Sequence, residues 1–314
     1  SYPADALAAQ AVCARSYAYF YLDQPAYPEY EAHLDDSTSF QVYNNIEETE
    51  ATTLAVAQTS GWVLLNQGKP TTTFFFSTSC GVTANENVWK MGKGGSEVLF
   101  EPVVVAHAEE SAVEAMALEN DLSRFAPERL QEEEVFSQFI TEKDSSSLEA
   151  GEQWYRWTYS GKIHADTLYD KICSVYEEKR AAVEILEKNT FISKKPKEFS
   201  QIRRIYVESR LPGGVADTLI IETNQQTLRI KSEYYIRKVL ADESGKIVRN
   251  DGSKTYATSL LPSGYFVLET TVNKKGNVSG IKLWGGGYGH GVGMSQNGAK
   301  CAANAGMEWK EILS

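Results

Sequence analysis

The chain has 314 residues, 42% of them apolar, enough for one large domain or two moderate ones to bury a core, which excludes a disordered or low-complexity protein. Its net charge of −11 equals the excess within residues 101–153, which hold 14 Asp/Glu against 3 Lys/Arg; this balance excludes DNA and other nucleic acid as partners, because attraction to phosphate needs clustered Lys and Arg, and it accepts an uncharged polymer. No window reaches the roughly 18 consecutive apolar residues of a membrane-spanning helix, so a signal or anchor is expected to lie outside the sequence.

The first expected element is a helix over Ala4–Leu22, where Leu7, Ala11, Ala14, Ala18 and Phe20 recur at helical spacing behind Pro3 and Asp5. A second helix over Thr49–Ser60 precedes a hairpin, with strands Trp62–Leu65 and Thr71–Ser77 joined through Asn66 to Pro70. Between Ala106 and Gly151 the pattern becomes acidic helices, with Phe136, Phe139 and Ile140 on one stripe and Glu132, Glu133 and Glu134 opposite. This reads as an inserted helical arm with a solvated face. After Trp154 the chain turns β-like, with strands over Arg204–Ser209, Asp217–Thr223 and Thr227–Ile230, a short helix over Tyr234–Leu240, strands over Tyr265–Val272 and Ser279–Trp284, and a closing helix over Ser295–Asn304. The expected fold class is α+β: mixed helices and antiparallel strands, a cleft between two lobes, and an inserted acidic helical arm.

The densest chemical signal is Trp284 to Gln296, with six glycines in nine positions followed directly by a helix. It fits neither a dinucleotide loop nor a P-loop. It is either a site wall, where backbone approaches a ligand, or a tight strand-to-helix turn. His290, between Gly289 and Gly291, is a candidate acid, base or hydrogen-bond donor. Behind Phe74–Phe76, the hydroxyls of Ser77, Ser79 and Thr83 either line a polar cleft or satisfy the turn's own backbone. Cys80 beside Gly81 permits a cysteine-nucleophile reading with His290, its alternative being a small core residue. Asp35 and Asp36, in the patch Leu34–Tyr43, are catalytic carboxylates or turn formers. The four cysteines, Cys13, Cys80, Cys173 and Cys301, lie far apart without metal-site spacing and read mainly as core residues.

Taken in order, Ala6-Leu-Ala-Ala-Gln-Ala-Val-Cys-Ala-Arg-Ser-Tyr17, Gln41-Val-Tyr43, Ser77-Thr-Ser-Cys-Gly-Val-Thr83 with Val88-Trp89, Leu261-Pro-Ser-Gly-Tyr-Phe266 and Gly289-His-Gly-Val-Gly-Met-Ser-Gln-Asn-Gly-Ala299 resemble the stage II sporulation protein D family, which includes amidase enhancers of the cell wall. The resemblance implies one domain made of residues 1–105 and 154–314, with 106–153 inserted. It further implies a peptidoglycan lytic transglycosylase that cleaves MurNAc–GlcNAc bonds of denuded glycan strands to 1,6-anhydro products during sporulation and engulfment. One carboxyl group protonates the glycosidic oxygen, then takes the proton of the sugar's own 6-hydroxyl as it closes on the anomeric carbon, with no attacking water.

In the family that carboxyl belongs to a glutamate shortly before the Ala-Leu-x-Ala-Gln helix, and the matching position is expected upstream of Ser1. Carried over by motif, Gln41, Ser77, Ser79, Thr83, His290, Met294, Ser295 and Gln296 are expected in or beside a glycan cleft. Arg15 supports it or makes a structural ion pair, and Trp89 stacks on a sugar or packs in the core. Some family members carry a zinc site near Gln-Val-Tyr; here that stretch has no cysteine, so no metal and no cofactor are expected, with His33 close by. The implied partners are glycan strands and a cell-wall amidase resembling stage II sporulation protein P, and the implied location is the cell envelope. The alternatives are a non-catalytic glycan-binding amidase enhancer and a cysteine peptidase or amidase using Cys80 and His290.

Overall fold

A computed structural model describes residues 2–23, 25–37, 40–91, 99–105, 123–142, 146–256 and 259–314. The expected acidic arm thus lies outside the described residues over 106–122 and 143–145, as do Thr38 and Ser39 of the patch around Asp35. In chain order, α1 (Ala4–Phe20) and α2 (Glu50–Gln58) precede the short strands β1 (Leu65–Asn66), β2 (Lys69–Pro70) and β3 (Phe75–Phe76). Then come α3 (Glu133–Thr141), β4 (Trp157–Lys162), α4 (Ala165–Glu178), β5 (Val183–Glu187), β6 (Thr190–Ser193), β7 (Ile202–Arg210), β8 (Ala216–Thr223), β9 (Thr227–Lys231) and α5 (Glu233–Leu240). β10 (Lys246–Arg249), β11 (Lys254–Tyr256), β12 (Phe266–Val272), β13 (Val278–Gly285), β14 (Met294–Ser295), α6 (Gln296–Asn304) and α7 (Trp309–Ile312) complete the chain. The fold is mixed α+β, as its sequence pattern predicts. It divides into two compact units, Ser1–Phe76 with Gly293–Ser314, and Ser77–Val292.

The first unit is built on α1, whose buried Ala6, Ala8, Ala9, Val12 and Cys13 present small side chains to close neighbours. α2, α6 and α7 all pack against it. Thr49 caps α2 through a reciprocal hydrogen-bond pair with Thr52. The hairpin of β1 and β2 is shorter than its alternation predicts. One cause lies in α1, where Ser16 Oγ accepts the Leu64 amide that a longer ladder would use. β14 returns beside β3 in parallel, Met294 opposite Phe75 and Ser295 opposite Phe76.

The second unit holds two five-stranded sheets, ordered β11-β10-β4-β13-β12 and β6-β5-β9-β8-β7, whose pairings are all antiparallel. They share one apolar core, in which Trp157, Tyr159, Leu219, Ile221, Phe266 and Leu283 from strands meet Leu168, Ile172, Ile236 and Leu240 from α4 and α5. α3 joins this unit through the predicted stripe, with Phe136, Phe139 and Ile140 buried. The Arg210 guanidinium lies 4.0 Å from the Phe136 ring centroid, and its Nε donates to Glu133 at 2.7 Å. The described part of the acidic stretch is therefore fastened to the sheet by a buried arginine and an aromatic stripe.

Candidate functional site

In the second unit three motif segments, distant in sequence, meet at the glycine loop. Thr78 and Tyr288 exchange two backbone hydrogen bonds, at 3.2 and 2.8 Å, and the Ala84 amide donates to the Gly291 carbonyl at 2.8 Å, so residues 77–84 run along the loop. Below it, Ser263 Oγ donates to the Gly286 carbonyl at 2.6 Å and the Gly289 amide donates to the Pro262 carbonyl at 3.0 Å. The Leu261–Tyr265 segment is itself held by buried Arg237 of α5, whose Nε and Nη2 donate to the Leu261 and Pro262 carbonyls while Nη1 pairs with Glu233 at 3.0 Å. Glycine is required at 291, where φ is +83° and a Cβ would lie 2.3 Å from the Tyr265 hydroxyl.

His290 stands in this loop, half-buried, and its Nδ1 accepts the Val292 amide at 3.1 Å, which selects the tautomer carrying its proton on Nε2. The Trp89 ring, 38% exposed, lies edge-on with its centroid 5.3 Å from the imidazole. These two predicted residues are brought together. Ser77 Oγ lies 3.2 Å from Thr78 Oγ1, Thr83 Oγ1 accepts the Val103 amide at 2.9 Å, and Ser79 is buried. Ser79 therefore builds the turn and does not line a cleft: its Oγ donates to Glu149 Oε1 at 2.6 Å and its amide to Oε2 at 3.0 Å.

In the first unit Arg15 serves as a carbonyl cap for α2. Its Nη1 donates to Thr59 and Trp62 carbonyls at 2.7 and 2.9 Å, and Nη2 to Val56 at 3.2 Å, where a cation complements a helix C-terminus. Gln41 Nε2 donates to the Ala14 carbonyl at 3.2 Å. Ser295 caps α6 by accepting the Gly298 amide, Met294 sits in β14, and Gln296 Nε2 donates to Gln10 Oε1 at 3.3 Å. Gly293 has a steric cause as well, since a Cβ there would lie 2.1 Å from the Phe74 carbonyl oxygen. Asp35 behaves as a turn former, accepting the Ser37 amide and the Tyr27 hydroxyl, and hydrogen bonding from the Ser37 side chain first, then from Tyr27 and the Ser37 amide, holds its carboxyl below the usual range.

Cys80 is wholly buried, and burial pushes its thiol up to about 12. Such a thiol is not a thiolate at neutral pH, so the cysteine-nucleophile reading fails on chemistry. Cys13 is buried and shifted in the same way, while Cys173 and Cys301 are half-buried, so the reading of all four as core residues holds fully for two.

Sequence reasoning missed Glu149 and Arg156. Glu149 is hidden among many carboxylates, and nothing in its local pattern marks it as buried. Arg156 donates to the Cys80 and Phe139 carbonyls at 2.7 and 3.2 Å, tying the turn to α3. It also passed over Trp154 and Tyr288, whose ring centroids lie 4.7 Å apart at the other end of the loop.

Fold and loop together define a mixed α+β protein in whose second unit the 77–84 and 261–265 segments meet a glycine-built loop edged by imidazole and aromatic rings. Residues 1–65 match the family model described as stage II sporulation protein. Residues 105–293, more than half of the chain, match the model described as a domain of unknown function (DUF8618), and the acidic stretch falls within that match. The chain belongs to the family of this domain of unknown function, and its first 65 residues are similar to the stage II sporulation protein family. The amidase enhancer of Bacillus subtilis (strain 168) is 24% identical over 317 aligned positions, covering all of this chain. The chain spans 37% of that relative's length.

Proposed function

We propose that the chain handles glycan strands of peptidoglycan in the cell envelope, as part of a sporulation lytic transglycosylase that cleaves MurNAc–GlcNAc bonds of denuded strands to 1,6-anhydro ends. The observation that carries this reading is the seat of His290, in a loop fixed from two sides with the exposed Trp89 ring 5.3 Å away. A pyranose has an apolar face and a rim of hydroxyls; an indole covers the first, and an imidazole exchanges hydrogen bonds with the second. Two buried carboxylates beside the loop are committed to the scaffold, Glu149 to Ser79 and Glu233 to Arg237, and are not proposed as the general acid.

A second reading is favoured by the name of the Bacillus subtilis relative: a non-catalytic, glycan-binding enhancer of an amidase. Mass spectrometry of denuded strands incubated with the native full-length protein separates the two. Anhydro-muramic ends that vanish in His290→Ala and Trp89→Ala support the transglycosylase. Intact strands that nonetheless bind the protein support the enhancer, and strands neither cut nor bound refute both.

A further inference from the structure

We infer that Trp154 and Tyr288 form a second sugar platform, so that the glycine loop carries two adjacent subsites for an extended, uncharged glycan; the inference rests on the glycan reading above. Tyr288 is 44% exposed although its backbone is bonded through both N–H and C=O to Thr78. The neighbouring Gly287 donates to the Trp154 carbonyl at 2.8 Å and accepts from Trp157 Nε1 at 3.0 Å. A large ring is thus held rigidly at the surface, where folding alone does not need it. Rigid aromatic rings give contact area at little entropic cost, which is the property a stacking subsite uses.

The surroundings supply the polar rim. The Arg249 guanidinium lies 5.3 Å from the Trp154 ring centroid, and its Nη1 donates to Gln153 Oε1 at 2.9 Å, while Nη2 makes no hydrogen bond among the described residues. Gln153 in turn donates to Asp251 at 2.7 Å, and Asn250 Nδ2 donates to the Ala150 and Glu152 carbonyls, so the rim is held in place before any ligand arrives. Arg249 and Asp251 set opposite charges side by side, which suits hydroxyl and amide groups better than an ionised ligand. Tyr288 and His290 are two residues apart, at most about 7 Å of extended chain, so one strand passing over the loop meets both platforms.

The test is fluorescence or calorimetric titration of the native full-length protein with N-acetylglucosamine oligomers of two and six sugars. The native protein is expected to bind the hexamer more tightly than the dimer. Tyr288→Ala is expected to weaken hexamer binding about five- to tenfold and to leave the dimer unchanged, with Trp154→Ala behaving alike and Tyr288→Phe behaving as native. Native hexamer affinity in Tyr288→Ala, or equal loss of dimer and hexamer, overturns the second platform while leaving the glycan reading intact. Failure of the native protein to bind either oligomer overturns both.

Discussion

The Gly291 and Tyr265 contact permits a quantitative test of how the candidate loop is held. Alanine at 291 must adopt φ near +83°, which costs about 1–2 kcal/mol for a side chain with a Cβ. It also drives that Cβ to 2.3 Å from the Tyr265 hydroxyl and within 2.9 Å of the ring, an overpacking of about 1–3 kcal/mol because Tyr265 is 2% exposed and cannot swing away. The sum for Gly291→Ala is about 2–5 kcal/mol. Tyr265 has its own signature: the hydroxyl has no hydrogen-bond partner among the described residues, and burial holds the phenol well above its ordinary range, so it stays protonated. Tyr265→Phe removes an unsatisfied buried group and is expected to be neutral or stabilising by about 1 kcal/mol. Because Phe also lifts the closest contact with the new methyl, the double variant is expected to recover about 1 kcal/mol beyond additivity. Chemical denaturation followed by near-ultraviolet circular dichroism reads all four corners of the cycle. A Tyr265→Phe variant destabilised by more than about 1 kcal/mol refutes the reasoning, since the hydroxyl would then be making a bond worth keeping.

Three further outcomes follow from the same geometry. Cys80→Ala is expected to leave glycan cleavage or binding at the native level, read by the same strand assay, because a thiol pushed up to about 12 carries no thiolate below strongly alkaline pH. Glu149→Ala strands the Ser79 amide and hydroxyl in a buried site and is expected to cost about 3–5 kcal/mol, against about 1–2 kcal/mol for Glu149→Gln, which keeps one acceptor; accelerated hydrogen exchange at the Ser79 amide reports the loss directly. Asp217 has its carboxyl raised, chiefly by burial, so the folded state favours the protonated form and this contribution is lost as pH rises through the folded value. Asp217→Asn is therefore expected to stabilise at neutral pH and to gain nothing in acid, read as denaturation midpoints across pH.

Strands β7, β8, β9, β12 and β13 and helices α1, α2, α5 and α6 were legible in the sequence because their periodicity is clean and their ends are punctuated, as with Thr49 before α2 and Ser295 before α6. α4 was not. Its buried Leu168, Ile172 and Val175 recur at helical spacing, but His164 at its start makes no side-chain cap and Lys179 at its end is not a glycine, so the boundary signals are missing. β4 escaped for another reason: its partners, β10 and β13, both lie far along the chain, and no local turn announces the pairing, whereas β10 also pairs with neighbouring β11 through a tight turn at 250–253 that the sequence reading passed over. The candidate loop was legible because its steric demands are written as glycines. Its supports were not, since Glu149, Arg156 and Arg237 act through distant backbone groups and leave no local pattern.

This difference separates two kinds of motif residue. Arg15, Ser79 and Ser295 have their polar atoms occupied by helix ends or turns of the protein itself, so their identity follows from building the scaffold, and changing them is expected to act on stability first. Trp89 and Tyr288 are exposed, Tyr288 on backbone whose N–H and C=O are both bonded to Thr78, and His290 follows Tyr288 by two residues in the same loop. Folding alone gives no account of why aromatic rings should occupy these exposed positions, where a smaller polar residue would complete the loop as well. The functional reading therefore rests on the residues that the fold does not need, and they are the ones whose removal should separate binding from stability.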